Sequence, residues 1–251
     1  MNKFKRFLPP LSWGMYSLCG LICAFFISWL LLAKVNFAYA WLHDAMDIQQ
    51  HSRQYGPQNR HRHSFQYTNK SEHIRLFADI NTAIHNQGQG LTEIRYHHPN
   101  GKMIDTLLHQ AEVIHLKDVA NLLDVLLYLG AAATLIWLLL AAIYRFNLLP
   151  EPNLKQQTKS IISLVVLSSL AVLIIGPVKV FYSFHEWIFP ENHQWFFYYQ
   201  ESLMTILMKA PDLFGAIAIL ITVLALVVFI GLNLALHYLK VKFPLPPNSA
   251  N

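Results

Sequence analysis

The chain has 251 residues, 54% of them hydrophobic and 13% charged, with a mean hydropathy of +0.32, a composition that suits a polytopic membrane protein better than a soluble domain. The formal net charge of +5 and pI near 9.1 would suit a nucleic-acid ligand, but the excess Lys and Arg flank apolar runs, where they meet anionic lipid headgroups. Nucleic acid is therefore excluded as a partner.

Four apolar runs lack Asp, Glu, Lys and Arg: Gly14–Ala33, Val125–Tyr144, Ser160–Val178 and Leu213–Leu236. Each is close to the roughly 20 residues that a helix needs to cross about 30 Å of hydrocarbon, so four transmembrane helices are expected. Lys3, Lys5 and Arg6 precede the first run, Arg145, Lys155 and Lys159 fill the second loop, and Lys240 and Lys242 follow the last, whereas the third loop has only Lys209. The positive-inside rule then places both termini in the cytoplasm. The expected organisation is an N-terminus and first span over 1–40, an extracytoplasmic His-rich cap over 41–118, and spans over 119–145, 160–181 and 212–239. A cytoplasmic loop over 146–159, an aromatic outer loop over 182–211 and a cytoplasmic tail over 240–251 complete it.

In chain order, the basic start, the apolar run and Ala38-Tyr39-Ala40 are similar to a secretory signal, but the run exceeds the roughly 7 to 15 residues of a signal core. An uncleaved anchor is expected. Cys19 and Cys23, one turn apart inside it, read as packing residues. Trp41–Lys70 is polar, with little apolar periodicity, and reads as a surface excursion. His61 and His63 would share one face of an extended segment, as a metal pair or as solvated loop residues.

From Ser71, apolar residues at Ile74, Phe77, Ala78, Ile80 and Ile84 predict a short amphipathic helix. Leu91–His97 and Met103–Leu107, joined through Pro99-Asn100-Gly101, predict a β-hairpin. The fold class is thus mainly α, with four spans and a small α+β cap that contains the hairpin.

Two clusters carry candidate chemistry. Glu112–Val119 (EVIHLKDV) resumes helical spacing before the second span, and residues three apart on a helix are neighbours. Glu112 or Asp118 is expected to orient the His115 ring and select its tautomer. A solvated helix shoulder is the bland alternative. Phe181–Phe189 (FYSFHEWIF) follows the third span, in a loop rich in aromatic rings that favour the headgroup level. Most of these rings read as anchors, but His185 is ionisable among them, where desolvation favours a neutral base. The topology brings both histidines to one membrane face, within a few ångströms of one outward cavity.

These residues resemble the bacterial intramolecular lipoprotein transacylases, small four-span membrane proteins. The motifs that carry the resemblance are Glu112-Val-Ile-His115-Leu-Lys-Asp118-Val119 and Phe184-His185-Glu186-Trp187-Ile-Phe189. Weaker matches are Trp195-Phe196, Glu201-Ser202-Leu203 and Pro211-Asp212-Leu213-Phe214. The likeness runs from about Leu76 to Leu220. Trp41–Lys70 has no counterpart that can be placed, and leucine follows His115 where methionine is expected.

The resemblance implies transfer of the sn-2 acyl chain of a diacylglyceryl-modified N-terminal cysteine onto that cysteine's alpha-amine, giving a lyso-form lipoprotein. It implies His115 and His185 as the catalytic pair, with Glu112, Asp118 and Glu186 in support and Phe184, Trp187 and Trp195 lining the substrate pocket. The expected partners are the lipoprotein N-terminus and membrane lipids, with no cofactor and no metal. Ser183 is a fallback nucleophile. The competing readings are a His-rich membrane metal-binding or sensor protein, drawing on His61, His63, His97, His98 and His109, and a non-catalytic subunit that binds lipid or a partner.

Overall fold

The computed structural model describes residues 3–150 and 152–244, with the backbone alone for 3–9. Parts of the expected terminal segments, 1–2 and 245–251, and Glu151 of the expected loop 146–159 lie outside the described residues. The helices are α1 (Lys3–Lys34), α2 (Tyr39–Ala45), α3 (Ile48–Tyr55), α4 (Lys70–Ile84), α5 (Gln110–Arg145), α6 (Leu154–Ile175), α7 (Pro177–Ile188), α8 (Leu203–Met208) and α9 (Asp212–Lys242). Strands β1 (Arg95–His97) and β2 (Met103–Thr106) form a two-stranded antiparallel sheet. Four stretches are long and apolar enough to cross a membrane: Pro10–Lys34 of α1, all of α5, all of α6 and all of α9. The protein is mainly helical, multi-pass and membrane-integral.

The chain divides into two compact units. The first comprises residues 1–30, 127–174 and 220–251. Small residues set its packing. A Cβ on Gly20 would meet Trp137 Nε1 at 2.8 Å, and one on Gly130 would meet Phe26 Cδ2 at 2.5 Å, so α1 and α5 approach closely only because these positions carry no side chain. Tyr16, Cys19 and Cys23 of α1 bury against Ala133, Trp137 and Tyr144 of α5. Both thiols are free and act as packing groups. Along α6, Leu167, Leu173 and Ile174 are exposed, the surface that hydrocarbon would cover.

The second unit comprises residues 31–126 and 175–219. Its core is aromatic and aliphatic. Tyr39 stacks on Phe77 with ring centres 4.2 Å apart and donates its hydroxyl to the Leu207 carbonyl at 2.7 Å. The N-cap of α4 is Asn69, whose side chain accepts from the Glu72 N–H. The helix thus begins at Lys70, one residue before the expected start at Ser71. In the hairpin, Arg95 pairs with Thr106 and Tyr96 with Asp105, with a bulge before His97. Gly101, at φ +82, supplies the left-handed turn residue. Leu91–Glu93, expected as strand, forms a 3₁₀ turn instead.

Two expectations need correction. Trp41–Lys70 is not a surface excursion: it folds into α2, α3 and two 3₁₀ turns, and buries Leu42, His43, Ile48, His51, Ser52 and Phe65. Its apolar residues are spread over several short helices, so no single period reveals them. The third long helix does not run to Val178. Gly176 takes φ +101, which breaks α6 at Ile175, and Pro177 opens α7 in the first helical turn, where its missing N–H costs nothing. The segment expected as loop from Phe181 is therefore helix as far as Ile188.

Candidate active site

The site lies within the second unit and is built on the first turns of α5. His109 precedes that helix, and its N–H donates to Glu112 Oε2 at 2.7 Å, half of a capping box. Glu112 Oε1 accepts from the Ser202 hydroxyl at 2.5 Å and from the Met204 N–H at 3.3 Å. Ser202 in turn accepts from the Thr205 N–H at 2.8 Å and caps α8. One fully buried carboxylate thus holds the starts of two helices.

His115 sits one turn further along α5 and is 8% exposed. Its ring centre is 4.9 Å from that of Phe189, 6.1 Å from Phe197 and 6.1 Å from His185. Neither ring nitrogen of His115 forms a hydrogen bond among the described residues. The expectation that Glu112 or Asp118 orients this ring is not met: Glu112 serves the helix starts, and Asp118 Oδ2 accepts from His193 Nδ1 at 2.6 Å. Aromatic packing holds His115 instead.

His185 projects from α7 with Phe181 one turn before it, their ring centres 4.0 Å apart. Phe189 lies at 5.2 Å, Trp195 at 5.1 Å and Phe184 at 5.7 Å. The Nδ1 atom of His185 is 2.7 Å from the Phe181 carbonyl oxygen. A carbonyl can only accept, so Nδ1 carries the hydrogen, and in the neutral ring Nε2 keeps its lone pair. Burial lowers the pKa of His185, and the bond to Phe181 opposes that shift. The ring is therefore neutral near pH 7, in a single tautomer, with its basic nitrogen open.

The structure brings together His115, His185, Phe184 and Trp195 as expected neighbours. Among the described residues, Glu186 and Trp187 make no ring contact or hydrogen bond with that group and are exposed, Trp187 by 82%. Phe197 and His193 were not foreseen as parts of the site, and Phe181 and Ser202 were singled out only as members of the Phe181–Phe189 cluster and the Glu201-Ser202-Leu203 match, with no role of their own. His193 stands in an irregular loop and meets Asp118 across 75 positions of sequence, for which no local pattern exists. Phe197 was legible only as one ring among many.

The metal reading lacks a ligand set. Among the described residues no three His, Cys, Asp or Glu side chains are grouped to hold an ion. His61 and His63 are exposed, and the nearest partner ring to His61 is His109, at 5.2 Å.

Comparison with known proteins gives a family. The family model described as lipoprotein intramolecular transacylase Lit matches residues 14–214. No curated protein matches the chain. Three solved structures of the membrane integral lipoprotein intramolecular transacylase Lit from Bacillus cereus are similar to it. A variant with a histidine-to-arginine mutation has a TM-score of 0.67 at 20% identity, over 95% of each chain. A variant with a histidine-to-alanine mutation gives 0.66 at 20%, over 95% of this chain and 96% of that one, and the third structure gives 0.64 at 21%, over 94% and 96%. At that identity the structures carry the fold, while the family model covers most of the sequence: the chain belongs to the lipoprotein intramolecular transacylase family.

Proposed function

We propose that the chain is an O-to-N acyltransferase that moves the sn-2 acyl chain of a diacylglyceryl-modified cysteine onto the alpha-amine of that same cysteine, leaving a lyso-form lipoprotein. The substrate supplies its own nucleophile, so no serine or cysteine attack is needed and Ser183 has no part. Tethering of amine and ester makes the step unimolecular, which leaves the protein to fold the substrate and to move protons.

His185 is the base. As the amine nitrogen bonds to the ester carbonyl carbon, that nitrogen becomes acidic, and Nε2 of His185 takes its proton. His115 is the acid: its N–H hydrogen-bonds the oxyanion, and as the C–O bond breaks it hands that proton to the sn-2 oxygen while its other nitrogen takes the amine's proton from His185. One proton is lost by the amine and one is gained by the alcohol, so the pair returns to its starting charge once a proton passes from His185 to His115. The observation that carries this reading is the adjacency of two histidines that both keep an open ring nitrogen, inside an aromatic enclosure.

The same reading places residues 41–118 and 182–211 outside the cytoplasmic membrane and the active site on that outer face. Lys and Arg support it, because they gather at 3–6, 145–159 and 240–242, the segments assigned to the cytoplasm.

The test is a crossover experiment. Purified protein is given a mixture of light diacylglyceryl peptide and peptide that is heavy in both its backbone and its sn-2 chain, and the N-acylated products are weighed. Only all-light and all-heavy products are expected. Mixed products, or a peptide that keeps a free amine, would contradict the proposal.

A further inference from the structure

Far from the histidine pair in sequence, the first unit contains a cleft of about 1050 Å³ among the C-terminal part of α5, the N-terminal part of α6 and the C-terminal part of α9. Its size is at the upper end of ligand cavities, roughly 300–1,000 Å³. The wall is largely apolar, with Leu138, Ala141, Ala142 and Leu234 among its residues. Cations gather at one end of it: Arg145, Lys155, Lys159 and Lys240 all line the cleft. Lys155 and Lys159 are exposed and one turn apart on α6.

Two observations identify the occupant. The first is charge: residues 1–30, 127–174 and 220–251 carry eight Lys and Arg against one acid, Glu151, so this unit has a large excess of positive charge. The second is a buried polar group. Gln157 lines the cleft at 6% exposure, and its Nε2 has no hydrogen-bond partner among the described residues. A buried amide without an acceptor is rare in native folds and marks a place where one belongs. An apolar trough that ends in cations and an open amide donor fits an amphiphile with a hydrocarbon tail and an anionic head.

We propose that this cleft binds one anionic glycerophospholipid, with its phosphate against Lys155 and Lys159, a head or ester oxygen on Gln157, and an acyl chain along Leu138, Ala142 and Leu234. Basic pockets between transmembrane helices bind anionic headgroups on the cytoplasmic side, and the positive-inside count assigns this end of the spans to that side. The lipid is a structural ligand, distinct from the lipid that is the substrate of the histidine pair.

The experiment uses the full chain, purified in detergent and depleted of lipid. Phosphatidylglycerol and phosphatidylcholine with identical acyl chains are titrated separately, with retained lipid counted by native mass spectrometry and Tm followed in parallel. Phosphatidylglycerol is expected to be retained as one tight adduct and to raise Tm, because a ligand that binds only the folded state stabilises it. Phosphatidylcholine should do neither. The Lys155→Gln/Lys159→Gln double variant should lose at least about tenfold in phosphatidylglycerol affinity, the loss of one to two charge-assisted contacts. Ala142→Trp, which fills the trough and leaves the charges, should lose the adduct as well and serves if the double variant does not fold. Equal retention of both lipids, unchanged binding by the variants, or the same Tm rise with inorganic phosphate alone would overturn the proposal. No readout depends on acyl transfer, so failure here leaves the catalytic reading untouched.

Discussion

His73 and His115 are both buried histidines of the second unit, and they are held in opposite ways. Both ring nitrogens of His73 are engaged, Nδ1 with His43 Nε2 at 3.0 Å and Nε2 with Thr68 Oγ1 at 2.7 Å. The ring stacks on Phe65 with centres 5.2 Å apart. Among the described residues His115 has aromatic neighbours but no hydrogen bond, and its neighbour His185 uses one nitrogen and leaves the other open. A ring whose two nitrogens are committed holds protein together, whereas one with an open nitrogen has a lone pair or an N–H to offer a substrate. Burial alone therefore does not distinguish the two: hydrogen bonds tie His73 to His43 and Thr68, whereas His115 and His185 face each other with open nitrogens, the feature on which the proposed chemistry rests.

That contrast predicts its largest effects at the open pair. His185→Ala and His115→Ala should each lower the rate of N-acylation by about 10²–10⁴-fold, and the double variant should lose little more, because the two rings act as one unit. Single-turnover kinetics on a diacylglyceryl peptide check this; additive losses would mean separate roles. The wild-type rate should fall as pH drops through the lowered pKa of His185, since only its neutral form can accept a proton. A His185 variant should lack that acidic limb and keep the one from the substrate amine, whose ordinary pKa is about 7.7–8.0.

Next in size is Glu112. Glu112→Ala strips the acceptor from the His109 and Met204 N–H groups and from the Ser202 hydroxyl in a buried setting. Each group left unpaired costs about 1–3 kcal/mol, so Tm should fall by several degrees. Glu112→Gln keeps an acceptor and should fall less. An activity loss without any loss of Tm would return Glu112 to a direct part in the chemistry.

His193 sharpens the comparison from the loop side. Its ring and Asp118 tie the irregular loop that carries Trp195 and Phe197 to α5. His193→Ala and Asp118→Asn are each expected to lower activity by about tenfold, with the pair strongly non-additive in a double-mutant cycle. Fully additive losses would show that the two side chains do not work through each other.

His73, whose nitrogens are both committed, and His51, buried against the rings of Tyr55 and Tyr199, give the smallest effect on activity and a pH effect on stability instead. Burial, together with a protonated His43 beside it, lowers His73 to about 3, and burial and Lys209 lower His51 to about 4. Unfolded, both titrate near 6.5. Between pH 6.5 and those lowered values the unfolded chain binds protons that the native chain refuses, so stability declines as pH falls, by on the order of a few kcal/mol in total. Hydrogen exchange of residues 39–73 between pH 7 and pH 4 checks it; unchanged protection would contradict it.

Much of the fold was legible because hydrocarbon imposes a simple rule. A charge-free run of about 20 residues has few alternatives to a spanning helix; three of the runs lie wholly in long helices and the third run does so as far as Ile175. The Asn100-Gly101 turn likewise carries its own backbone requirement. Trp41–Lys70 was illegible because its order comes from tertiary contacts, such as the approach of α2 and α3 to α4, in which polar residues are buried with partners. At the site, His115 and His185 stood out as ionisable groups beside spans. The partners of Glu112 and Asp118 could not be read, because Ser202 and His193 are 90 and 75 positions away and joined to them only by the fold.

The measurement that bears most directly on the pair of open histidines is mass spectrometry of the N-terminal peptide of a reporter lipoprotein in cells without other N-acylation. Wild type, His115→Ala, His185→Ala and Thr68→Val, which removes the hydroxyl bonded to His73 and to the Phe65 carbonyl, would be compared at equal expression. The account predicts an N-acylated, S-monoacylglyceryl peptide with wild type and Thr68→Val, and a diacylglyceryl peptide with a free amine for both histidine variants. N-acylation that persists when either histidine is removed would contradict it.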